Sequence, residues 1–520
     1  MNLKEISKVV IVGGGTAGWI AACHIAKKLN PNENDNISIT LLDSPDIPTI
    51  GVGEGTVPVI KDTLKYFGIK ESDFIGQCDV TFKHSIKFVN WCHNPSAVEE
   101  DFYHHLFDFP NIRPFDVTPH WLLNKDLASK KYADLVSVQS YICEKALPPK
   151  RLSDKEFSGL FNYAYHLDAG KFTELLRQHA IHKLGVKNLK CNVTKANLNE
   201  ERFIESLELD NGERVKGDFF VDCSGFQSLL IEQSLGGKFI DKGNELFADT
   251  ALAVQVDYDT PNATIKPYTT STAQKYGWIW DIGLTTRRGI GYVYSSKYQT
   301  EESARSTLLN YIEDSKILSQ VRKLPMKVGY QQTPWINNCV AMGLSQGFVE
   351  PLEATGLLMF DVTARMFAEA FPSDVENIKL RQKRFNEDVT QMWESTTDFI
   401  KLHYYLSKRD DSAFWIDNRN ENSLSNELKE KLQLWRAKIP SQFDFRSNLD
   451  LFRVSNYLYV LYGMNYYTHL SIQPPSGEAS ALSKLLEDIQ KGVSYCSNNL
   501  RGHRETLEHI KRSVVHVGQK

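Results

Sequence analysis

The feature that most constrains the fold is a glycine-rich turn between a short apolar strand and a helix near the start of the chain. Val9–Val12 is a continuous β-branched apolar run, typical of a strand buried on both faces. The turn Gly13–Gly18 follows it and leads into a segment of helical composition. In this G-x-G-x-x-G frame Gly13 permits the turn, Gly15 admits a pyrophosphate, and Gly18 lets the helix pack on the strand.

A second strand supports a Rossmann-like βαβ unit. Residues Ile37–Leu42 form an apolar alternating run that ends at Asp43. A carboxylate in this place can accept hydrogen bonds from ribose hydroxyls. The two strands, the glycine turn and Asp43 together predict a dinucleotide site, but they do not distinguish FAD from NAD. The Gly/Pro-rich loop Ile47–Pro58 comes next, and its glycines suit close backbone contact with a flat ring.

Later segments extend this unit into a two-lobed fold. Asp218–Phe226 is typical of a second dinucleotide-contacting strand, with Asp222 at its end, and Asn211-Gly212 predicts a hairpin turn. From residue 357 onward the composition is helical, and we expect helices at Phe360–Phe371, Val375–Trp393, Thr397–Ser407, Asn426–Trp435 and Ala481–Gln490.

We therefore predict an α/β protein with a flavin monooxygenase-type FAD module and a mainly helical substrate module. The FAD module comprises residues 1–91 and 160–375, and the substrate module comprises residues 92–159 and 376–520. We expect the polar, basic tail Arg501–Lys520 to be a solvated helix end.

Composition and charge exclude several classes of function. The 520 residues carry a net charge of −4, so no basic excess indicates nucleic acid or an anionic membrane as partner. No apolar run reaches the ~18 residues that a membrane span needs. The eight cysteines are scattered without a C-x-x-C pair, which predicts reduced thiols and no metal site. With a polar N-terminus unlike a signal peptide, this favours a cytoplasmic protein.

Two stretches carry candidate chemical groups. Gly347–Gly356 places the carboxylate of Glu353 just before Thr355-Gly356, at the start of an apolar helix whose first N–H groups can bind an anion. Thr81–Trp91 alternates between apolar and polar residues, which predicts one strand with the amine of Lys83 on its non-apolar face. An amine, a carboxylate and an anion site become a hypothesis for catalysis once a cofactor lies nearby.

A pair of tryptophans lies in the first of two predicted strands. Gly277–Ile282 and Gly289–Ser296 are alternating strands separated by a polar turn. Trp278 and Trp280 therefore lie on one face of the first strand.

These motifs together resemble the flavin-dependent tryptophan halogenase family over essentially the whole chain. The residues that carry the resemblance are Gly13–Trp19, Ile50–Thr56, Phe82-Lys83, Asp222–Gly225, Gly277–Trp280 and Glu350–Gly356. The resemblance implies an enzyme that uses FADH2, dioxygen and chloride or bromide to halogenate an electron-rich aromatic ring. It also implies a separate NAD(P)H-dependent flavin reductase, since one dinucleotide fingerprint serves FAD and no second one is visible. A homodimer is compatible with the sequence.

The resemblance assigns roles to individual residues. Lys83 would receive hypohalous acid that travels through an internal tunnel, and Glu353 would be its partner carboxylate. Thr355 and Gly356 would bind halide. Trp278 and Trp280 would keep substrate away from the flavin. Flavin contacts would come from Thr16, Ala17, Ser44, Ile47, Ile50, Glu54, Gly55, Val193, Leu344 and Leu357, besides Gly13, Gly15, Gly18 and Asp43.

Departures from the family pattern concern the substrate. His105 and Phe107 match aromatic platform residues, Phe452 stands where a tryptophan wall is usual, and Asn456 follows it. Ala354 replaces a usual serine. These differences favour indole or another small aromatic over free tryptophan.

The sequence leaves three questions open. Burial would lower the pKa of Lys83 whereas an ionised Glu353 would raise it, and the sequence does not decide between them. A flavin monooxygenase that hydroxylates an aromatic directly is an alternative function. A non-catalytic FAD-binding protein is another.

Overall fold

The computed structural model describes residues 6–30, 37–47, 53–96, 101–110, 115–372, 378–445, 447, 449–471 and 474–517. The strands are β1 (Lys8–Val12), β2 (Ser38–Asp43), β3 (Gly53–Gly55), β4 (Thr81–Lys83), β5 (Ser85–Val89), β6 (Phe102–Leu106), β7 (Ala164–Asp168), β8 (Lys187–Lys190), β9 (Val193–Leu198), β10 (Ile204–Leu209), β11 (Arg214–Lys216), β12 (Phe219–Asp222), β13 (Phe239–Asp241), β14 (Thr250–Val256), β15 (Tyr268–Gln274), β16 (Gly277–Gly283), β17 (Arg288–Tyr294), β18 (Arg322–Pro325), β19 (Gly329–Gln331), β20 (Trp335–Ile336), β21 (Cys339–Ala341) and β22 (Gly347–Phe348).

The helices are α1 (Thr16–Leu29), α2 (Ile60–Phe67), α3 (Glu71–Gln77), α4 (Thr118–Leu123), α5 (Lys125–Ala128), α6 (Tyr132–Val136), α7 (Gln139–Glu144), α8 (Ala169–Leu184), α9 (Glu301–Ile312), α10 (Thr355–Ala370), α11 (Ile378–Leu406), α12 (Ala413–Asn418), α13 (Asn426–Trp435), α14 (Val454–Gly463), α15 (Ala479–Asn499) and α16 (His503–Val517). Among the described residues, no helix is both long and apolar enough to cross a membrane. All eight cysteines are free, as the sequence predicts.

The predicted Rossmann-like unit is confirmed. A sheet with strand order β20-β21-β12-β1-β2-β8 has β1 near its centre, in parallel pairing with both β2 and β12. Val9 and Ile11 of β1 join one hydrophobic cluster while Val10 and Val12 join another, so the strand is buried on both faces. The carboxyl ends of these strands therefore meet beside the start of α1, where α/β sheets bind ligands.

A second, larger sheet carries the tryptophan hairpin. Its strand order is β18-β14-β17-β16-β15-β5-β6; β16 and β17 are the two strands predicted around the polar turn, and they pair antiparallel. Strands β3, β7 and β4 form a separate small sheet with β7 in the middle. Strands β3 (Gly53–Gly55) and β4 (Thr81–Lys83) pair with opposite edges of β7. This pairing fixes the position of Lys83 relative to the glycine-rich loop that contains β3.

The prediction of one strand over Thr81–Trp91 was wrong. The chain breaks at His84, because β4 pairs with β7 whereas β5 pairs with β15 and β6 in the larger sheet. At the break the N–H of His84 donates to Pro267 O and its carbonyl accepts from Phe107 N–H, so the backbone stays satisfied. The alternation of apolar and polar residues continues through the break and therefore did not reveal it.

Helix α11 replaces two predicted helices, so the break expected between Trp393 and Thr397 was also wrong. No proline or glycine lies there, and the Thr397 hydroxyl donates to the Trp393 carbonyl one turn back. A hydroxyl bonded in this way is tolerated inside a helix. Helix α13 has the bounds that its sequence predicts, Asn426–Trp435.

The C-terminal tail is not simply a solvated helix end, and that prediction needs correction. His503, Thr506 and Leu507 of α16 are buried. Their spacing of i, i+3 and i+4 makes one face of the helix. Phe82 of β4 donates its N–H to His503 Nε2 at 3.0 Å, and His503 Nδ1 donates to Ile265 O at 3.1 Å. The tail therefore reaches the strand that carries Lys83.

Candidate active site

The glycine turn leaves open space where a pyrophosphate would lie. Gly13 has φ +118°, and a Cβ there would come within 2.1 Å of the Cys223 carbonyl oxygen. A Cβ on Gly18 would lie 1.9 Å from the carbonyl oxygen of Gly13, whereas one on Gly15 would meet nothing within 4 Å. The turn therefore needs glycine at position 13, and the packing of the helix needs glycine at position 18. The space next to Gly15 is open at the N-terminus of α1. This geometry fits a dinucleotide phosphate.

Other predicted flavin contacts lie around this turn. Asp43 ends β2 and is buried; its carboxylate pairs with Lys190. Ser44 donates to Asn192 Oδ1 at 2.6 Å, and the hydroxyls of Thr16 and Thr173 lie 2.7 Å apart. The remaining positions are Ala17 in α1, Ile47 after β2, Glu54 and Gly55 in β3, Val193 in β9, Leu344 in the turn Gly343–Ser345 and Leu357 in α10. Ile50 lies outside the described residues.

Lys83 is fully buried at the end of β4. Its ammonium nitrogen donates to Thr56 O at 3.1 Å and lies 5.3 Å from the centre of the Phe107 ring. A Cβ on Gly55 would be 3.0 Å from the same nitrogen, so the predicted flavin loop touches the amine directly. Burial lowers the pKa of Lys83 to about 7, and the negative charge of Glu353 only partly opposes this. The structure thereby answers the question that the sequence left open: burial dominates.

Glu353 is buried between two imidazoles. His105 Nδ1 lies 2.9 Å from both carboxylate oxygens, and His403 Nε2 lies 2.8 Å from Oε1. Burial alone would raise the pKa of Glu353, but the two histidines outweigh it and lower the pKa to about 2. The carboxylate is therefore ionised throughout the neutral range and lies close enough to Lys83 to affect its pKa.

The predicted substrate residues surround this carboxylate. Asn456 Nδ2 donates to His105 Nε2 at 3.0 Å. Phe452 stacks on Phe399 with ring centres 4.1 Å apart, and Phe107 lies under the amine of Lys83. The structure thus brings His105, Phe107 and Asn456 together with Lys83 and Glu353, and Phe399 packs against the ring of Phe452.

The predicted halide site begins α10. Its N-cap residue, Ala354, has φ 57° and ψ 37°, an uncommon conformation for a residue with a side chain. The Thr355 hydroxyl is buried with no hydrogen-bond partner, and a Cβ on Gly356 would meet nothing within 4 Å. A free donor and open space at a helix N-terminus fit a small anion.

The tryptophan pair packs as a buried wall. The rings of Trp278 and Trp280 are 6.2 Å apart and inclined at 58°. Trp278 Nε1 donates to Glu350 Oε2 at 2.7 Å, and Tyr404 donates its hydroxyl to the same oxygen at 2.5 Å. A Cβ on Gly291 would come within 2.0 Å of the Trp280 ring, which explains the glycine opposite it. Burial raises the pKa of Glu350 to about 7 despite these two donors.

Sequence reasoning missed the contribution of α11. His403 faces Glu353 and the adjacent Tyr404 faces Glu350, although neither had a predicted role. Glu350 belongs to the motif Glu350–Gly356, but it had no predicted role either. The two acids in Glu350–Glu353 were the available signal, because buried carboxylates need donors from elsewhere. Nothing in the sequence pointed to α11 as their source.

Comparisons with known proteins agree with this geometry. The tryptophan halogenase family matches residues 8–474. The tryptophan 7-halogenase RebH of Lentzea aerocolonigenes is 32% identical over 531 residues, covering 97% of this chain and 97% of RebH. The tryptophan 6-halogenase ThaL of Streptomyces albogriseolus is 33% identical over 453 residues, covering 84% of this chain and 83% of ThaL. The crystal structure of a tryptophan halogenase from Shewanella frigidimarina is 39% identical, with a TM-score of 0.93 and 98% of each chain covered. The chain belongs to the tryptophan halogenase family.

Proposed function

We propose that the protein is a two-component halogenase that uses FADH2, dioxygen and chloride or bromide to halogenate indole or another small electron-rich aromatic. One observation carries the proposal: the buried amine of Lys83, with its pKa lowered to about 7, lies within electrostatic range of Glu353 and against the flavin loop at Gly55 and Thr56. Perturbed groups placed together in this way are typical of an active site.

Each part of the chain has a task in this proposal. Reduced FAD, when bound, supplies with dioxygen the two-electron oxidation of halide to hypohalous acid. The start of α1 with Gly15 binds the dinucleotide, and Thr355 with Gly356 holds the halide. Trp278 and Trp280 keep the aromatic substrate away from the flavin, so that oxygen is not transferred to the ring directly.

Lys83 then places the halogen beside the substrate. A pKa of about 7 leaves both the ammonium and the amine populated at neutral pH. The ammonium can hydrogen-bond hypohalous acid, and the amine can form a haloamine; either restricts where the halogen reacts. The ring loses a proton as the carbon–halogen bond forms, and Glu353 is placed to accept it. The products are the aryl halide and water.

The proposal also covers location and partners. It places the reaction in the cytoplasm and assigns the supply of FADH2 to a separate NAD(P)H-dependent reductase. A homodimer and the division into two modules at residues 92, 160 and 376 are compatible with it.

A product assay tests the proposal. The protein is incubated with a flavin reductase, NADH, FAD, oxygen and either halide, together with a panel that includes indole and tryptophan, and the products are identified by mass spectrometry. Halide-dependent aryl halide is the expected result. A hydroxylated product would favour the direct monooxygenase, and FAD binding without any product would favour the non-catalytic alternative. Oxidation of NADH by the pure protein would contradict the need for a reductase.

A further inference from the structure

His403 has an acceptor at each ring nitrogen. Its Nδ1 lies 2.9 Å from the carbonyl oxygen of Phe399, one turn earlier in α11, and its Nε2 lies 2.8 Å from Glu353 Oε1. A carbonyl oxygen only accepts, and so does an ionised carboxylate. Both nitrogens must therefore donate, which requires an imidazolium cation.

His105, on the other side of the same carboxylate, is arranged differently. Its Nε2 lies 3.0 Å from Asn456 Nδ2, and the orientation of that amide is set because Asn456 Oδ1 accepts from Arg453 N–H at 2.8 Å. Nε2 of His105 therefore accepts and its Nδ1 donates to Glu353. The contacts of His105 are thus complete with one ring proton, whereas those of His403 require two.

The surroundings of His403 suit a cation. The ring is fully buried, and the centre of the Phe88 ring lies 4.9 Å away. Aromatic faces attract a buried cation. The carboxylate opposite it receives hydrogen bonds from both imidazoles, and these lower the pKa of Glu353.

We propose that His403 is a positioning residue whose positive charge cancels that of Glu353, so that the carboxylate stays ionised without making Lys83 more basic. The inference rests on the proposed function, which gives Lys83 and Glu353 their roles. It explains how an acid and a basic amine share a buried site: the acid keeps its charge while its field at Lys83 is largely offset.

Other charged groups near the pair are accounted for. Charges or hydrogen bonds link Lys83 or Glu353 to His105, His403, Tyr103 and His166, and His166 is linked in turn to His84 and His503. The last three are histidines whose pKa burial lowers, so they are neutral at the pH values of interest. The balance at Lys83 therefore depends on Glu353 and His403.

The test replaces His403 with glutamine, which can still donate a hydrogen bond to Glu353 but carries no charge. Lysine labelled with 13C at Cε reports the titration of Lys83 by NMR, and the Lys83→Met variant identifies its signal. In H403Q the Lys83 midpoint should rise by about 1 unit, because an uncompensated opposite charge nearby shifts a pKa by about 1–3 units. The acid limb of the halogenation pH profile should rise with it.

Two further variants act as controls. In H403Q/E353Q both charges are absent, and the Lys83 midpoint should return toward that of the wild type. H104Q removes a buried histidine that contacts another acid, Glu144, at 2.9 Å, and should leave the midpoint unchanged. A midpoint that is unchanged or lower in H403Q would overturn the inference, even if turnover or thermal stability fell.

A measurement on the wild type covers the case in which H403Q does not fold. Neutron diffraction at neutral pH should show hydrogen on both nitrogens of His403 and on one nitrogen of His105. A single hydrogen on His403 would overturn the inference. Neither the NMR titration nor the diffraction needs turnover, so they remain decisive if the product assay disproves the halogenase itself.

Discussion

Glu350 and Glu353 belong to the same turn and are both buried, yet the environment drives their pKa values in opposite directions. The pKa of Glu353 falls to about 2, and that of Glu350 rises to about 7. Burial opposes ionisation in both cases. The difference lies in the donors, since Glu353 faces two imidazoles whereas Glu350 faces an indole N–H and a phenol O–H. Two neutral donors do not compensate for the loss of water around Glu350, whereas the imidazoles do so around Glu353.

Each acid also has a buried lysine in its neighbourhood. Lys83 and Lys401 both have a pKa near 7, lowered by burial and opposed by Glu353 and Glu350 respectively. Lys401 donates to Asn418 Oδ1 at 3.0 Å and lies 4.7 Å from the centre of the Phe247 ring, far in sequence from the flavin loop. The comparison teaches that a perturbed pKa alone does not mark a catalytic group. Contact of Lys83 with the loop at Gly55 and Thr56 is what distinguishes the two.

The largest expected difference is between the two lysines. Lys83→Ala should reduce aryl halide formation by about 1000-fold, within the range typical of a lost catalytic side chain, while FAD binding and peroxide release persist. Lys401→Ala, the same substitution at the other buried lysine, should retain most of the activity. Product yield, peroxide release and FAD binding are measured side by side. Halogenation by the Lys83 variant would remove the lysine from the mechanism.

The two acids should differ next. Glu353→Gln should lower turnover by about 100-fold, because an amide cannot accept the ring proton. Glu350→Gln should have a much smaller effect, since a pKa of about 7 leaves Glu350 about half protonated near pH 7 and its two donors can bond to an amide oxygen. Steady-state kinetics of the two variants measure the loss of turnover, and thermal melting checks that both variants are folded. Equal losses in the two variants would break the comparison.

Stability should depend on pH with opposite sign for the two acids. The folded pKa of Glu350 lies above its ordinary value of 4.5, so its contribution is complete below pH 4.5 and is lost as the pH rises toward 7. Relative to E350Q, the wild type should lose on the order of 1–3 kcal/mol of unfolding free energy across that window. Glu353, with a folded pKa of about 2, should contribute above pH 4.5 and lose its contribution as the pH falls. Denaturant unfolding at several pH values measures how the contribution of each acid to the unfolding free energy changes with pH. A contribution of Glu350 that increases with pH would contradict its raised pKa.

The smallest effect should come from one donor of Glu350. Tyr404→Phe removes a hydrogen bond that favours the ionised carboxylate, so the pKa of Glu350 should rise further and the stability window should move to higher pH. The expected loss of unfolding free energy is about 1 kcal/mol, the usual net value of one hydrogen bond. The same unfolding series measures it, with the neighbouring His403 left intact. A window that moves to lower pH would show that Tyr404 does not act on the charged form.

Local features of the sequence predict local features of this fold well. The turn at Gly13–Gly18, the two strands around the polar turn after Trp278 and Trp280, and α13 are all as expected, because each depends on glycine geometry, alternation or composition within a few residues. The family resemblance identified Lys83 and Glu353 by the same short motifs.

Features that depend on distant partners were not predictable. The strand break at His84 comes from a choice between two sheets, and the burial of His503 comes from the docking of α16 against β4. His403 lies in a helix whose periodicity gave no sign of an acid 50 residues earlier. In each case the deciding contact joins segments far apart in the chain, which no pattern in one sequence describes.

The bond from Phe82 N–H to His503 Nε2 spans 421 residues of chain and has a practical consequence. A version of the protein shortened before α16 would keep every motif by which the family is recognised, including the glycine turn Gly13–Gly18. It would nevertheless lose the imidazole that anchors the residue next to Lys83. Searches based on motifs would accept such a truncated form, although it lacks the helix that carries this imidazole.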